Sequence, residues 1–213
     1  MIAIVIGATG ATGTALLEQL IIDNLYLKII VFSRTNPIIN SHKIIVHIVD
    51  FEKIELWKHK IIGDVIFSAL GTTKKDAGSR EAQYKVDFTY QYKIAISAAE
   101  NKVRKMLLVS SIGANKNSIF FYPKIKGELE TEVKKLSFKG IYIFQPPLLI
   151  RQKEKIRLNE KVLILLFRVL NKVGILLSQR PMDITILAKK MVLISKIESK
   201  QKCITYLPRD IFN

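Results

Sequence analysis

The stretch "IAIVIGATGATGTALLEQLI", residues 2–21, decides the fold. Its first five residues are apolar and mostly β-branched, which reads as a buried strand. Glycines then recur at Gly7, Gly10 and Gly13, giving G-x-x-G-x-x-G. Leu16, Leu17, Leu20 and Ile21 follow on one helical stripe. A glycine turn between a strand and a helix has a physical use. Gly7 permits the tight turn, Gly10 lets a pyrophosphate approach the backbone, and Gly13 lets the helix lie against the sheet. The helix N-terminus then offers unpaired N–H groups and partial positive charge to phosphates. Thr9, Ala11 and Thr12 complete the loop, the threonines with hydroxyls to contribute. A glycine-rich turn without a ligand is the alternative, but the strand–turn–helix context favours a dinucleotide site. No Gly-Lys-Ser/Thr closes the loop, which excludes a P-loop ATPase.

Outward from this unit, short apolar runs alternate with amphipathic ones. Strands are expected at 27–33, 42–50, 64–71, 105–111 and 139–147, with a short last one at 202–207. Helices are expected at 81–102 and 123–136, the second opened by Pro123, where a missing N–H costs no hydrogen bond. Continuous apolar strands separated by helices imply a parallel sheet covered on both faces. The fold class is α/β, a doubly wound, Rossmann-like parallel sheet. With no repeat or Gly/Ser linker, residues 1–213 read as a single domain with a small C-terminal lid at about 151–180. Ligands on such sheets sit at the carboxyl ends of the strands, where the winding reverses.

The totals are consistent with this. A chain of 213 residues with 49% hydrophobic content can bury a sizeable core. The most apolar stretch, "VLILLFRVLNKVGILL", is interrupted by Arg168 and Lys172 and is too short to span a bilayer. The apolar start lacks the basic leader of a signal peptide, and the single cysteine, Cys203, excludes an internal disulfide. A cytoplasmic protein is expected. Net charge is +16, from 34 basic and 18 acidic residues, spread along the chain. Residues 151–202 concentrate 13 basic against 4 acidic residues. They read as a solvated face, with membrane-surface contact the minor alternative and no specific nucleic-acid site. His42, His47 and His59 have no metal-ligand spacing, and no metal is expected. Cys203 and Trp57 read as packing residues.

Cofactor choice turns on the end of the second strand. "VFSRT" places Ser33 and Arg34 there, with no carboxylate to accept from an adenosine ribose. An arginine would instead pair with a 2′-phosphate, favouring NADP (NADPH) over NAD. Asp50, followed by Phe51 at the end of the third strand, is placed to meet the adenine edge or to cap the next turn. "SALGTT" supplies Ala69, Leu70, Gly71 and Thr72, small residues among them letting the backbone pass near a cofactor.

"FFYPKIKGELE", residues 120–130, raises a separate question. Tyr122 and Lys126 are four apart and share a helix face. They are either a proton-donating couple or an aromatic opening a lysine-rich helix, and spacing alone does not choose. With "GATGATG", "VFSR", "SALGTT", "VSSIGA" and "YPKIKGE" in this order, the sequence resembles the atypical short-chain dehydrogenase/reductases. The branch it looks most like holds the Tat-interacting metastasis-suppressor oxidoreductase and its small bacterial relatives. The resemblance runs from Met1 to about Ile150 and faintly into "DITILAKKMVLI". It implies that Tyr122 lies beside the nicotinamide, with Lys126 lowering the phenol pKa and holding the ribose. Tyr122 would donate a proton to a carbonyl oxygen as hydride arrives. Ser110 or Ser111 would orient that carbonyl, with Ser111 slightly favoured. Asp87 falls where related enzymes carry asparagine or aspartate. Pro123 is expected to make Tyr122 the helix cap. The resemblance implies an oxidoreductase acting on a small carbonyl or alcohol, as monomer or homodimer. A non-catalytic NAD(P)-binding redox sensor or scaffold is the alternative.

Overall fold

The computed structural model describes residues 1–150 and 181–212. The expected lid at 151–180 lies outside the described residues. Seven strands form one parallel sheet: β1 (Ile2–Ile6), β2 (Lys28–Ser33), β3 (Ile44–Ile48), β4 (Val65–Ser68), β5 (Lys105–Val109), β6 (Gly140–Phe144) and β9 (Cys203–Tyr206). Their spatial order is β3-β2-β1-β4-β5-β6-β9. β7 (Leu149–Ile150) and β8 (Met182–Asp183) pair as a separate two-stranded parallel ribbon. The helices are α1 (Ala11–Ile22), α2 (Lys74–Ala77), α3 (Arg80–Tyr84), α4 (Gln91–Glu100), α5 (Phe121–Val133), α6 (Ile184–Ser195) and α7 (Pro208–Phe212).

The alternation of β1 explains the two covered faces. Ala3 and Val5 point to one side, into a core with Leu16, Leu17 and Leu20 of α1 and Leu187 and Met191 of α6. Ile4 and Ile6 point to the other, into a core with Ile94 of α4 and Leu129 of α5. Register places Ile6 opposite Phe32 on one flank and Ser68 on the other, and Ser68 opposite Leu108. The segments that leave β1, β2, β4 and β5 therefore emerge along one edge. The chain builds outward to β3, then returns to place β4 beside β1, so the winding reverses between β1 and β4.

Long-range polar contacts fix the end of α6 to the segment after α1 and to β5. The buried Tyr26 and Ser195 hydroxyls lie 2.5 Å apart, and Lys196 pairs with Asp23. The buried Lys105 of β5 donates to the Ser195 and Ile197 carbonyls at 3.1 and 3.0 Å.

Several local expectations change. The helix expected over 81–102 begins as α3, passes through a π-helical segment at Lys85–Tyr90, and ends as α4. α5 starts at Phe121 with Phe120 as its cap, so Tyr122 is helical rather than the cap. Pro123 is tolerated because the N–H groups of the first turn have no partner within the helix; the Lys124 N–H is the one that donates back to the Phe120 carbonyl, at 3.1 Å. Cys203 packs against the core as expected, half-buried on the edge strand β9. Trp57 packs as expected, stacked on Phe32 at 5.1 Å, its Nε1 donating to the Asp50 carbonyl at 2.9 Å.

Candidate functional site

At the carboxyl edge, the three glycines of the first turn do different work. Gly7 holds φ +81°, and a Cβ there would lie 2.4 Å from the Ala69 carbonyl carbon. The turn after β1 is thereby seated against the segment after β4. At Gly13 a Cβ would meet the Gly7 carbonyl oxygen at 2.0 Å, so α1 closes directly on its own loop. Gly10 differs. It is exposed, its φ is −81°, and its nearest Cβ contact would be 3.4 Å. Protein packing does not demand a glycine there, whereas a ligand pressed against the backbone would. Gly10 caps α1 without a side-chain hydrogen bond, and the first turn carries no acidic residue. Its open N–H groups and positive dipole end face this loop, beside the exposed Thr9 and the half-buried Ala11 and Thr12.

Beside this turn, at the same carboxyl edge, β2 ends at Ser33. Ser33 is buried and donates to the Thr35 carbonyl at 2.7 Å, so its hydroxyl is held by backbone. Arg34 is exposed and lies near Tyr90, whose pKa it pulls down. Burial and the adjoining Glu52 outweigh that pull and push the Tyr90 phenol up to about 12. Asp50 caps the 3-10 segment Phe51–Leu56, its Oδ1 accepting from the Glu52 N–H at 2.9 Å. The capping role expected for Asp50 is thus present. The Phe51 ring is buried between Trp57 and Tyr90, at centroid distances of 5.9 and 5.8 Å.

The segment after β4 runs through Ala69, Leu70, Gly71 and Thr72 toward a buried ion pair. Asp87, wholly buried in the π-helical segment, lies 3.1 Å from the Lys126 ammonium, itself buried on α5. The Thr72 N–H points to Asp87 Oδ2 at 3.4 Å. Gln91 supports the aspartate from below, donating to its carbonyl at 3.0 Å while accepting from Ser68 at 2.6 Å. Burial opposes the Lys126 charge, but Tyr122, Asp87 and Glu130 raise its pKa above the ordinary lysine value. Its ammonium sits 5.8 Å from the centre of the Tyr122 ring. Tyr122 is 40% exposed, so the couple has one sealed member and one that opens outward.

The two candidate serines separate. Ser110 is buried and donates to Glu130 at 2.5 Å. Glu130 also accepts from Gln145 at 2.9 Å. That network withdraws the Ser110 hydroxyl from the cleft. Ser111 is half-buried, with only a long 3.3 Å contact to the Ile112 carbonyl. Glu130 is the residue that sequence reading missed. Its position four after Lys126, on the same helical face, was the available signal. Gly127 lets this loop dock on α5, since a Cβ there would lie 2.2 Å from the Lys116 nitrogen. Among the described residues no cluster of side chains could hold a metal, and no helix is long and apolar enough to cross a membrane.

Glycine loop and open helix end at the carboxyl edge of a parallel sheet fit a nucleotide-binding α/β protein. Residues 7–142 match the NAD(P)H-binding family, and the chain belongs to it. It is homologous to the rat Protein HTATIP2, 33% identical over 160 residues, covering 73% of this chain and 66% of the rat protein. The chain thus spans just under two thirds of that relative's length. The mitochondrial Protein FMP52 of Eremothecium gossypii is 36% identical over 156 residues, covering 72% of this chain and 69% of that one. Among solved structures, MoeE5 in complex with UDP-glucose and NAD superposes with a TM-score of 0.72 at 10% identity, over 97% of this chain and 76% of that one. A short-chain dehydrogenase/reductase superfamily protein from Agrobacterium tumefaciens with bound NAD gives 0.69 at 10% identity, over 96% and 77%. These likenesses show the fold. The residues present fit a pyridine dinucleotide: the cradle at Gly10 is open, and the first turn of α1 carries no acidic side chain.

Proposed function

We propose that this protein is an NADP-dependent oxidoreductase acting on a small carbonyl or alcohol substrate, with Tyr122 as proton donor. The observation that carries the reading is the buried Lys126 ammonium, raised in pKa and set beside the ring of a partly exposed tyrosine. A surface lysine following an aromatic would have no reason to be sealed against Asp87.

The diphosphate binds at the Gly10 turn, against the N–H groups that open α1. Arg34, exposed at the end of β2 with no acidic partner among the described residues, receives a 2′-phosphate. When bound, the cofactor supplies a hydride to the carbonyl carbon. The Tyr122 phenol gives its proton to the carbonyl oxygen, which becomes the alcohol hydroxyl. Lys126, kept charged, stabilises the phenolate left behind. Ser111 holds the carbonyl oxygen in line, since Ser110 is committed to Glu130. The protein acts in the cytoplasm, as a monomer or homodimer.

Tyr122→Phe tests the reading. It removes the acid and keeps the ring, so turnover should fall about 10²–10⁴-fold while NADPH affinity stays within about twofold. Turnover that survives the change, measured on the best substrate of an aldehyde and ketone screen, refutes Tyr122 as the donor. A screen with no NADPH oxidation at all favours a binding protein.

A further inference from the structure

We infer that Glu130 is a positioning residue: by tying the ends of β5 and β6 to α5, it sets where Ser111 stands relative to Tyr122. This role rests on the oxidoreductase reading above, in which Glu130 itself has no part.

Glu130 is a carboxylate only 5% exposed. Among the described residues its nearest ammonium is that of the exposed Lys134, 3.8 Å away. Its close partners are neutral. Ser110 Oγ donates to Oε1 at 2.5 Å, and Gln145 Nε2 lies 2.9 and 3.2 Å from the two carboxylate oxygens. A carboxylate buried among neutral donors is costly unless those bonds are kept, so the three side chains hold one another in place. Apolar residues of similar shape would fill the same space without that cost.

The elements joined are those that carry the proposed site. Tyr122, Lys126 and Glu130 recur at four-residue intervals along one face of α5. Ser110 is the first residue past β5, and Gln145 the first past β6. Backbone bonds extend the pairing of these strands. The Ser110 N–H donates to the Phe144 carbonyl at 2.7 Å, and the Ile112 N–H to the Pro146 carbonyl at 3.0 Å. Ser111 sits between these two anchors, its own hydroxyl making only the long contact to Ile112. Toward α5 the loop is held at its far end, where the Asn115 N–H donates to the Pro123 carbonyl at 3.0 Å, and beside Ser111 by Glu130. Without the Glu130 tie, Ser111 stays fixed to β6 and loses its fixed distance from Tyr122. A misplacement of about 1 Å can cost about 10²-fold in rate.

The test is a double-mutant cycle on kcat, using the full chain and the best substrate of the carbonyl screen. Ser111→Ala should lower kcat about 10–100-fold and Glu130→Ala about tenfold, both with NADPH affinity within about twofold of wild type. Combined, they should cost no more than Ser111→Ala alone, to within about twofold, because Glu130 acts through that hydroxyl. Glu130→Gln keeps the length and an acceptor for Ser110, and Gln145 can turn its own carbonyl to the new amide. Its kcat should stay within about threefold of wild type. If Glu130→Ala does not melt cooperatively, Ser110→Ala opens the same tie from the other side and replaces it in the cycle, with the same expectation. Losses that multiply, or NADPH affinity that falls along with kcat, overturn the role, because Glu130 would then only support the fold. Unchanged kcat in the variant that opens the tie overturns it too, as does a Glu130→Gln protein as impaired as Glu130→Ala. An active wild type matched by Ser111→Ala overturns this inference alone. Wild type that oxidises no NADPH with any substrate of the screen overturns the oxidoreductase reading, and this inference with it.

Discussion

Gly13→Ala and Gly10→Ala, introduced separately, should behave oppositely, and the contrast tests how the first turn works. At Gly13 the new Cβ would lie 2.0 Å from the Gly7 carbonyl oxygen and 2.7 Å from the Ala8 Cα. Ordinary contact begins at 3.4 Å, so the start of α1 must retreat by about 1.4 Å, from 3.4 minus 2.0. All the offending atoms are backbone, and no side chain can rotate away. α1 cannot retreat freely, because Leu16, Leu17 and Leu20 are fully buried against the sheet and α6. Overpacking of this kind costs about 1–3 kcal/mol, and backbone-on-backbone conflict puts Gly13→Ala at the upper end, about 3 kcal/mol. In a chain of this length that lowers Tm by about 6–12 °C. Gly10→Ala meets only the Gly7 oxygen at 3.4 Å, with φ in a range alanine accepts. Its stability should stay within about 1 kcal/mol of wild type, since the reduced freedom of the unfolded chain offsets a poorer cap. Nucleotide affinity should fall in both variants: by displacement of the loop in one, by the methyl group itself in the other. Differential scanning calorimetry and nucleotide titration read the two quantities. A Gly13→Ala protein that melts with wild type would refute the packing argument. A Gly10→Ala protein that binds NADPH as wild type does would show that the diphosphate does not press against this residue.

Arg34→Ala should weaken NADPH binding by about tenfold or more while leaving NADH within about twofold; equal loss for both would rule out a 2′-phosphate contact. Tyr26 governs an alkaline limit. Burial, against the opposing help of Ser195, pushes its phenol up to about 12, from an unperturbed value of 10.0. Its folded pKa exceeds its unfolded one, so the contribution is complete below pH 10 and is lost as pH rises from about 10 through 12. By linkage this is about 2–3 kcal/mol, and Tyr26→Phe should remove that part of the base-induced loss when chemical denaturation is followed against pH. The same variant should cost about 1–2 kcal/mol at neutral pH, because Ser195 loses a buried partner. A Tyr26→Phe protein with the wild-type alkaline profile would assign the transition to another group.

All seven strands of the main sheet were legible because each is a short apolar run bounded by turn residues, information contained in a few neighbouring positions. The glycine turn was legible for the same reason. Sequence spacing also put Tyr122 and Lys126 on one helical face. It misplaced the start of α5 by reading Pro123 as the first helical residue, although an unpaired N–H is equally free two positions further in. The π-helical segment left no local mark, since "EAQYKVDFTYQYK" has ordinary helical composition. Ser110 and Ser111 were indistinguishable in sequence, and only the arrival of Glu130 from α5 separates them.

By itself, the sequence determined the order of strands and helices, the glycine turn and the residue types available at the carboxyl edge, because these follow from local periodicity and backbone sterics. Tertiary structure alone decided which charges are buried. Lys126 and Lys105 are two of the chain's many lysines, alike in sequence to those on the surface. One is sealed against Asp87 and the other against carbonyls at the end of α6 and just beyond it. A lysine's charge state and partners depend on what packs over it from 39 and 90 residues away, 126 minus 87 in one case and 195 minus 105 in the other. No local pattern encodes that.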